Sequence, residues 1–254
     1  MGATAAPGSA HATTPGGLAE VATTTTTTAE AGPARFERWA TLSRTSRGYY
    51  YDAGQQHTRL VITRVKGGVR FADTRTDVVR SKPDVCRSKR ARVGSVMVCR
   101  VPAAVDARHP ITLKVFTRLG DDYIDSSTLS AAFELHMLAD AGRDIVRAGS
   151  GNDFVNGAQD GDRVTGGAGR DWIRTGEGRD RIRGGPGRDR LVGVQARDRI
   201  HGGRGNDRVG GGGGDDRLVA GKGKDVVLCG SGRDSVHAAR ADRIMRDCES
   251  VRYG

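Results

Sequence analysis

The sequence predicts an all-β fold built from stacked repeats, and three observations carry this prediction. An aspartate recurs every nine residues, an aliphatic residue stands two positions after each of these aspartates, and glycines fill most of the space between them. A fixed short period of this kind indicates a solenoid, in which each unit packs against its neighbours along the chain. The repeat aspartates are Asp144, Asp153, Asp162, Asp171, Asp180, Asp189, Asp198, Asp207, Asp216, Asp225 and Asp234.

Each repeat is predicted to consist of a tight turn and a short strand. Residues 184–189 illustrate the glycine-rich turn, and Arg190, Leu191 and Val192 illustrate the strand that follows it. Side chains alternate between the two faces of a strand, so Leu191 points to one face and its neighbours to the other. One buried residue in nine cannot form a core alone, and the units must therefore stack. Glycine allows the positive φ values that such sharp turns require.

The GGxGxDxU pattern at this period resembles the RTX-type calcium-binding nonapeptide repeats. The resemblance covers about 142–236, and a degraded last unit at 241–244 slips by one residue. It implies a right-handed parallel β-roll in which two nonapeptides make one turn, so that equivalent positions stack 18 residues apart. It also implies Ca²⁺ between successive turns, held by the repeat Asp carboxylates and by turn carbonyls, because Ca²⁺ takes six to eight oxygen ligands in flexible geometry.

The stacking interval divides the units between two edges of the roll. The units ending in Asp153, Asp171, Asp189, Asp207 and Asp225 all keep glycine at the second and fourth turn positions. On the other edge, the turns at 157–162 and 193–198 have lost these glycines. We therefore expect calcium to favour the edge that carries Asp153 and its equivalents.

Charge offers an alternative to calcium. Stacked carboxylates about 5 Å apart repel one another and need a counter-charge. The residue before the repeat aspartate is often basic, which would allow a calcium-independent Arg–Asp ladder. The sequence leaves both arrangements open. The basic residues at this position are Arg143, Arg170, Arg179, Arg188, Arg197, Lys224 and Arg233.

Stacking also aligns the residues that point away from the core. One sheet is expected to carry a column of Arg163, Arg181, Arg199 and Arg217, flanked by Arg147, Arg183, His201 and His237. This arginine stripe could hold an anionic polymer, such as a cell-wall polymer, a polysaccharide or nucleic acid, or it could be an ordinary solvated strand face. The opposite sheet is expected to present a partly apolar face that is either covered by the preceding domain or free for a partner. Its outward residues are Phe154, Trp172, Val192, Val226 and Leu228.

The rest of the chain is expected to form two further parts. Residues 1–46 are rich in Thr and Ala and predict a disordered segment or a stalk, with no signal peptide visible. Residues 47–139 predict a β-rich capping region, with a hairpin turn at 66–68 and strands at 95–101 and 111–117, and residues 140–254 predict the roll with a C-terminal cap. Residues 120–124 resemble an early repeat unit displaced by an insertion at 131–138.

The four cysteines form two local pairs without the spacing of a zinc site. In a repeat family that is usually exported, the even count suggests the disulfides Cys86–Cys99 and Cys229–Cys248, and reduced thiols are the alternative. The second disulfide would stabilise the fold by about 3 kcal/mol on the chain-entropy argument.

No catalytic motif stands out, and the carboxylates belong to the repeat pattern. The sequence therefore predicts a non-enzymatic, extracellular and monomeric calcium-binding protein without a membrane span. The alternative is a calcium-independent structural or adhesive β-solenoid whose arginine stripe binds an anionic polymer. The net charge of +11 and the pI near 10.1 suit an anionic partner.

Overall fold

A computed structural model describes residues 39–54, 57–76, 78–81, 86–89, 91–102 and 105–254 of the chain. Every regular element of these residues is a β-strand. The first ten strands are β1 (Trp39–Thr45), β2 (Gly48–Asp52), β3 (Arg59–Val65), β4 (Gly68–Asp73), β5 (Val78–Ser81), β6 (Cys86–Lys89), β7 (Ser95–Arg100), β8 (Ile111–Phe116), β9 (Tyr123–Asp125) and β10 (Phe133–Leu138).

Thirteen further strands form the repeat region. They are β11 (Ile145–Arg147), β12 (Phe154–Ala158), β13 (Arg163–Thr165), β14 (Trp172–Gly176), β15 (Arg181–Pro186), β16 (Arg190–Gln195), β17 (Arg199–Arg204), β18 (Arg208–Gly213), β19 (Arg217–Lys222), β20 (Val226–Ser231), β21 (Ser235–Ala238), β22 (Arg243–Ile244) and β23 (Ser250–Tyr253).

Alternate strands form two sheets, which we name sheet A and sheet B. Sheet A has 11 strands in the order β22-β20-β18-β16-β14-β12-β10-β8-β2-β1-β5, and sheet B has 12 in the order β23-β21-β19-β17-β15-β13-β11-β9-β3-β4-β7-β6. Consecutive repeat strands of each sheet are parallel, and their registers, such as Ile173↔Leu191 and Val164↔Ile182, join residues that are 18 apart. The predicted parallel β-solenoid is confirmed.

The early repeat unit is also confirmed, but the predicted position of its insertion is wrong. Tyr123 pairs with Ile145 in sheet B, and Phe133 pairs with Ile111 in sheet A, so this coil is longer than the later ones. The predicted insertion at 131–138 contains β10, which is a regular strand and continues into β12 at the usual spacing. The extra residues lie in the turn between β9 and β10, since a turn can lengthen without breaking the parallel ladder.

The parallel stack begins before the recognisable repeats. Strand β2 pairs with β8 and β3 pairs with β9, both in parallel. The chain between β3 and β8 forms antiparallel strands: β4 pairs with β3, β7 with β4, and β6 with β7. On sheet A, β1 lies antiparallel to β2 and parallel to β5. The hairpin predicted at 66–68 and the strands predicted at 95–101 and 111–117 are present.

Strand β1 lies within the segment 1–46 for which the sequence predicted disorder. Residues 39–45 are therefore a correction to that prediction, because their backbone pairs with β2 and β5. Residues 1–38 lie outside the described residues.

The core is a set of aliphatic columns between the two sheets. Sheet A contributes a column of fully buried side chains: Val155, Ile173, Leu191 and Val209. Their counterparts in sheet B are buried as well, such as Ile182 with 1% of its surface exposed. Burying one such side chain contributes about 1.5–3 kcal/mol. The columns continue into the first strands of the stack, where Leu60 and Leu113 are also fully buried.

Both predicted disulfides are present. Cys86–Cys99 joins β6 to β7 with a Cα–Cα distance of 4.0 Å, and Cys229–Cys248 joins β20 to the last turn of the chain with a Cα–Cα distance of 5.1 Å. One disulfide lies in the antiparallel part and the other at the C-terminal end, where a solenoid has only one neighbouring coil to pack against.

Candidate metal centre

The repeat aspartates lie at the junction between each turn and the strand that follows it. Their side chains point inward, and each residue is at most 2% exposed. The Oδ1 atom of Asp189 accepts a hydrogen bond from the backbone N–H of Asp171 at 2.9 Å, and Asp171 accepts one from Asp153 at the same distance. The carboxylate thereby satisfies an N–H that would otherwise be buried without a partner. We call these two stacked rows, one on each edge, the aspartate ladder.

The same contact recurs along both edges. On one edge, the backbone N–H of Asp189 donates to Asp207 and that of Asp207 donates to Asp225. On the other edge, each backbone N–H donates to the carboxylate 18 residues later, along the series Asp144, Asp162, Asp180, Asp198, Asp216 and Asp234. The stacking interval thus brings together all eleven aspartates that the sequence singled out, each with its neighbour one coil away.

The ladder begins and ends with carboxylates that the sequence did not assign as metal ligands. Asp122 accepts a hydrogen bond from the backbone N–H of Thr58, one coil earlier, and its own N–H donates to Asp144 at 2.8 Å. At the C-terminal end, Asp242 accepts the N–H of Asp225 and Glu249 accepts the N–H of Asp234. Asp122 and Asp242 lie in the degraded units at 120–124 and 241–244, whereas Glu249 lies outside the repeat pattern and carries no such signal.

The second carboxylate oxygen of most rungs has no hydrogen-bond partner. The Oδ2 atoms of the ladder from Asp162 to Asp234 are buried and unpaired, as are those of Asp122 and Asp144. Asp153 is the exception, because its Oδ2 accepts the N–H of Gly149 at 3.0 Å. A buried, unpaired carboxylate oxygen is costly, since it loses water without gaining a partner.

Where the first residue of a turn is glycine, it lies against the unpaired oxygen of the aspartate five positions later. At Gly166, a Cβ atom would overlap the Oδ2 of Asp171 and would stand 2.9 Å from the carbonyl oxygen of Gly184 in the next coil. Gly184 occupies the same position beside Asp189. Glycine at this position therefore gives the carboxylate room to pack against the main chain, beside a main-chain carbonyl oxygen.

The first turn position is not glycine in every unit. Thr175 occupies it beside Asp180, and its hydroxyl donates to the carbonyl of Gly193 at 3.3 Å. Ala220 and Cys229 occupy it before Asp225 and Asp234. These side chains fill part of the space that glycine leaves open, a distinction that the sequence analysis did not draw.

Burial shifts the titration of these carboxyl groups towards neutral pH. Loss of solvent raises the pKa of Asp171 and Asp189 to about 7, and it raises the pKa of Asp162 and Asp198 to about 8. The hydrogen bonds from backbone N–H groups act in the opposite direction, but they do not offset the burial. Near neutral pH these sites therefore favour either a proton or a cation.

The two edges differ in backbone strain. Among the described residues, positive φ angles outside glycine occur at Ala158, Asp160, Val194 and Ala196, all in the two turns that lack the expected glycines. A residue held in this region stores about 1–3 kcal/mol, and a β-branched residue such as Val194 is the least suited to it. The turns of the edge with Asp171 and Asp189 carry glycine at the equivalent positions and avoid this strain.

The basic residues beside the ladder point outward. Arg170, Arg188 and Arg197 are exposed, and no ion pair between described residues joins an arginine to a repeat aspartate. Arg197 instead pairs at 2.9 Å with Asp215, which precedes the repeat aspartate of the next coil. The arrangement is therefore not an Arg–Asp ladder, because the aspartates face the interior and the arginines face solvent.

The donor set fits a hard cation with a preference for oxygen ligands. Carboxylate and carbonyl oxygens are the ligands that Ca²⁺ takes in proteins. No group of three His, Cys, Asp or Glu side chains converges within the described ranges, so main-chain carbonyls would have to supply much of the coordination. Some turn carbonyls already accept hydrogen bonds between coils, as when Gly167 donates to Gly184 at 3.0 Å and Gly169 donates to Pro186 at 2.9 Å. Each carbonyl retains a second lone pair.

The predicted arginine stripe lies on the outer face of sheet B. Arg163, Arg181, Arg199 and Arg217 pair directly in register and are all exposed. With Arg183 and others, they line an open groove of about 440 Å³. The opposite face, on sheet A, presents the residues that the sequence predicted, with Trp172 and Leu228 the most exposed at 47% and 43%.

Comparison with known protein families gives one match. The RTX calcium-binding nonapeptide repeat (4 copies) matches residues 136–164, 157–191 and 192–227. No curated protein and no solved structure matches the chain. In the part of the chain that the structure describes, no helix combines the length and the apolar character needed to cross a membrane.

Proposed function

Because residues 136–227 belong to the RTX calcium-binding nonapeptide-repeat family, we propose that this chain is a non-enzymatic, exported β-roll that binds Ca²⁺ along its aspartate ladder. The observation that carries the proposal is the column of buried Oδ2 atoms without partners. Each holds negative charge away from water, and a cation between coils would neutralise it.

The residues that would hold calcium first are Asp171, Asp189 and Asp207. All three follow turns with glycine at the first position, and their turns carry no strained residue. Their Oδ2 atoms and the carbonyl oxygens of neighbouring turns would act as ligands. The Oδ1 atoms would keep their bonds to the backbone N–H groups of the previous coil, so that binding need not break the ladder.

Five other rungs would bind more weakly for two physical reasons. The hydroxyl of Thr175 and the side chains of Ala220 and Cys229 reduce the space beside Asp180, Asp225 and Asp234. The strained turns before Asp162 and Asp198 already store conformational energy. Asp144, Asp153 and Asp216 complete the proposed set of ligands.

Calcium would couple folding to location. A ligand that binds only the folded state stabilises it in proportion to the logarithm of its concentration over its dissociation constant. Calcium is scarce in the cytoplasm and plentiful outside cells, so the roll would gain most of its stability after export. The two disulfides are consistent with an oxidising, extracellular location.

Circular dichroism and calorimetry test the proposal together. Adding millimolar calcium to the calcium-free full-length chain should raise its unfolding temperature and give heat of binding. Magnesium at the same concentration should do neither, because magnesium demands stricter geometry. An unfolding temperature that is unchanged by calcium, together with no heat of binding, would reject calcium binding. The proposal also expects that the calcium-bound chain cleaves no test substrate. Hydrolysis of a test substrate would contradict the non-enzymatic role.

The arginine stripe supports a second candidate function, that of an adhesive module for an anionic cell-wall polymer or polysaccharide. The four guanidinium groups lie in one column at the spacing of neighbouring strands, about 4.8 Å, which suits a linear chain of negative charges. Heparin-like polymer should bind and should be released by salt.

Changing Arg163, Arg181, Arg199 and Arg217 to Gln should abolish that binding. A charge-matched control changes four exposed basic residues of the antiparallel region to Gln, namely Arg87, Lys89, Arg92 and Arg100. Equal loss in the two variants would mean that net charge, and not the stripe, attracts the polymer.

A further inference from the structure

The outer face of sheet A carries a column of flat side chains in register. His136 pairs with Phe154, Phe154 with Trp172, and Trp172 with Arg190. The rings of Phe154 and Trp172 meet edge to face at 5.1 Å, and the guanidinium of Arg190 lies 5.3 Å from the centre of the Trp172 ring. Trp172 remains 47% exposed, which is unusual for so large an apolar side chain.

An open groove of about 360 Å³ runs beside Trp172. Four exposed arginines border it: Arg170 and Arg188 precede repeat aspartates, whereas Arg190 and Arg208 follow them. The two aspartates that reach the groove, Asp171 and Asp189, are each 2% exposed and belong to the ladder. The accessible part of the groove is therefore strongly positive and attracts an anion.

We propose that this groove binds single-stranded DNA, with bases stacked on Trp172 and phosphates held by the surrounding arginines. Aromatic side chains beside a positively charged groove are the two elements by which proteins hold single strands without reading their sequence. Guanidinium planes also stack on flat rings, so Arg190 and Arg208 extend the platform that Phe154 and Trp172 begin.

The hydrogen-bonding character of the groove favours DNA over an acidic glycan. Arginine has five N–H donors and no acceptor, and among the exposed side chains of the groove only that of Asn152 offers an acceptor. Sugar hydroxyls both donate and accept, and their donors need acceptors that this surface largely lacks, whereas the phosphodiester backbone of DNA has acceptors alone. A surface of donors is thus complementary to a phosphodiester strand.

The exposed tryptophan favours a single strand over a duplex. In a duplex the bases are paired and stacked inside the helix, so their faces cannot reach Trp172. A single strand can turn its bases onto the platform, while its phosphates follow the arginines on either side. The site lies on the sheet opposite to the arginine stripe, and its exposed side chains are not among the proposed calcium ligands.

The test is the fluorescence anisotropy of a labelled oligothymidylate, titrated with the full-length chain in calcium-containing buffer. Trp172→Ala should weaken binding about tenfold or more, since one stacked base contributes that much, and Trp172→Phe should keep most of the affinity. Leu228→Ala removes another exposed apolar side chain from sheet A and serves as the matched control, which should bind as the unaltered chain does. Far-ultraviolet circular dichroism verifies that each variant is folded.

Salt dependence gives a second, independent readout. Arg190→Gln combined with Arg208→Gln should lower the slope of log affinity against log salt by about 1.4, because each phosphate contact on a single strand contributes about 0.7. A control pair in the antiparallel region, Arg87→Gln with Arg92→Gln, should leave the slope unchanged. Equal slopes for the two pairs would overturn the placement of the strand.

Three further results would overturn the proposal. The first is that a duplex of the same length binds as tightly as the oligothymidylate. The second is that Trp172→Ala and Leu228→Ala bind the oligothymidylate with the same affinity. The third is that heparin or polygalacturonate binds more tightly than the oligothymidylate and in a Trp172-dependent way. The last result would assign the groove to an acidic glycan. Loss of calcium binding would not affect the outcome, provided that the chain remains folded.

Discussion

Replacing Asp171 by Asn separates the two roles of a ladder carboxylate. Asparagine keeps an oxygen that can accept the N–H of Asp153, but it removes the buried negative charge. Without calcium, this charge opposes folding, because its Oδ2 atom has no partner. With calcium, the same charge is a ligand. The substitution should therefore act in opposite directions in the two conditions.

The titration of Asp171 sets the size of the effect. Burial raises its pKa from 3.8 to about 7, so the folded state holds a proton more tightly than the unfolded chain does. At a pH of about 8 both states are ionised, and about three pKa units at 1.36 kcal/mol each give an upper bound of about 4 kcal/mol against folding. Asp171→Asn should recover about 2–4 kcal/mol of unfolding free energy in the presence of a chelator.

Denaturant unfolding followed by circular dichroism measures this change, once with chelator and once with millimolar calcium. The expected result is a gain in the first condition and a smaller gain, or a loss, in the second. Asp215→Asn is the control, because Asp215 is exposed and the Arg233 N–H and the Arg197 side chain lower its pKa. It should weaken the fold slightly in both conditions. An equal loss for Asp171→Asn in both would refute the reasoning.

Three further outcomes are expected. Without calcium, the stability of the fold should be greatest near pH 4. It should fall as the pH rises through the raised pKa values of the folded ladder, from about 6 at Asp207 to about 8 at Asp198. Thermal unfolding at several pH values measures this change, and a flat profile would contradict the pKa shifts. Val194→Gly should stabilise the chain by about 1 kcal/mol in denaturant unfolding, because it relieves a φ of 108°, whereas Val192→Gly, two residues earlier in β16, should destabilise it. Thr175→Gly should add one calcium ion to the calorimetric stoichiometry by opening the space beside Asp180, and an unchanged stoichiometry would show that the first turn position does not control binding.

Much of the fold follows from the sequence because its determinants are local. Alternation along a strand places Leu191 inside and Arg190 outside wherever the strand lies, and the nine-residue period repeats this choice. Positive φ at the turn glycines, such as Gly185, follows from the same pattern. The stacking interval then brings Asp171 next to Asp189.

The parts that the sequence did not predict involve atoms from different coils or chain segments outside the period. The first coil, formed by β2 and β3, is separated from the second by the antiparallel strands, so no period reveals it. Strand β10 could not be found from the period either, because Leu135 stands where later coils have aspartate.

The sequence by itself determined which residues face the core, which face solvent and at what interval they recur, since these properties depend on neighbours along the chain. Only the tertiary structure decided what each carboxylate oxygen meets. Oδ1 of Asp189 accepts from a backbone N–H one coil away, and Oδ2 packs against the main chain where the glycine at position 184 leaves room for it. Such contacts depend on the distance between coils and on the side chain five positions earlier, and no property of the aspartate alone encodes them.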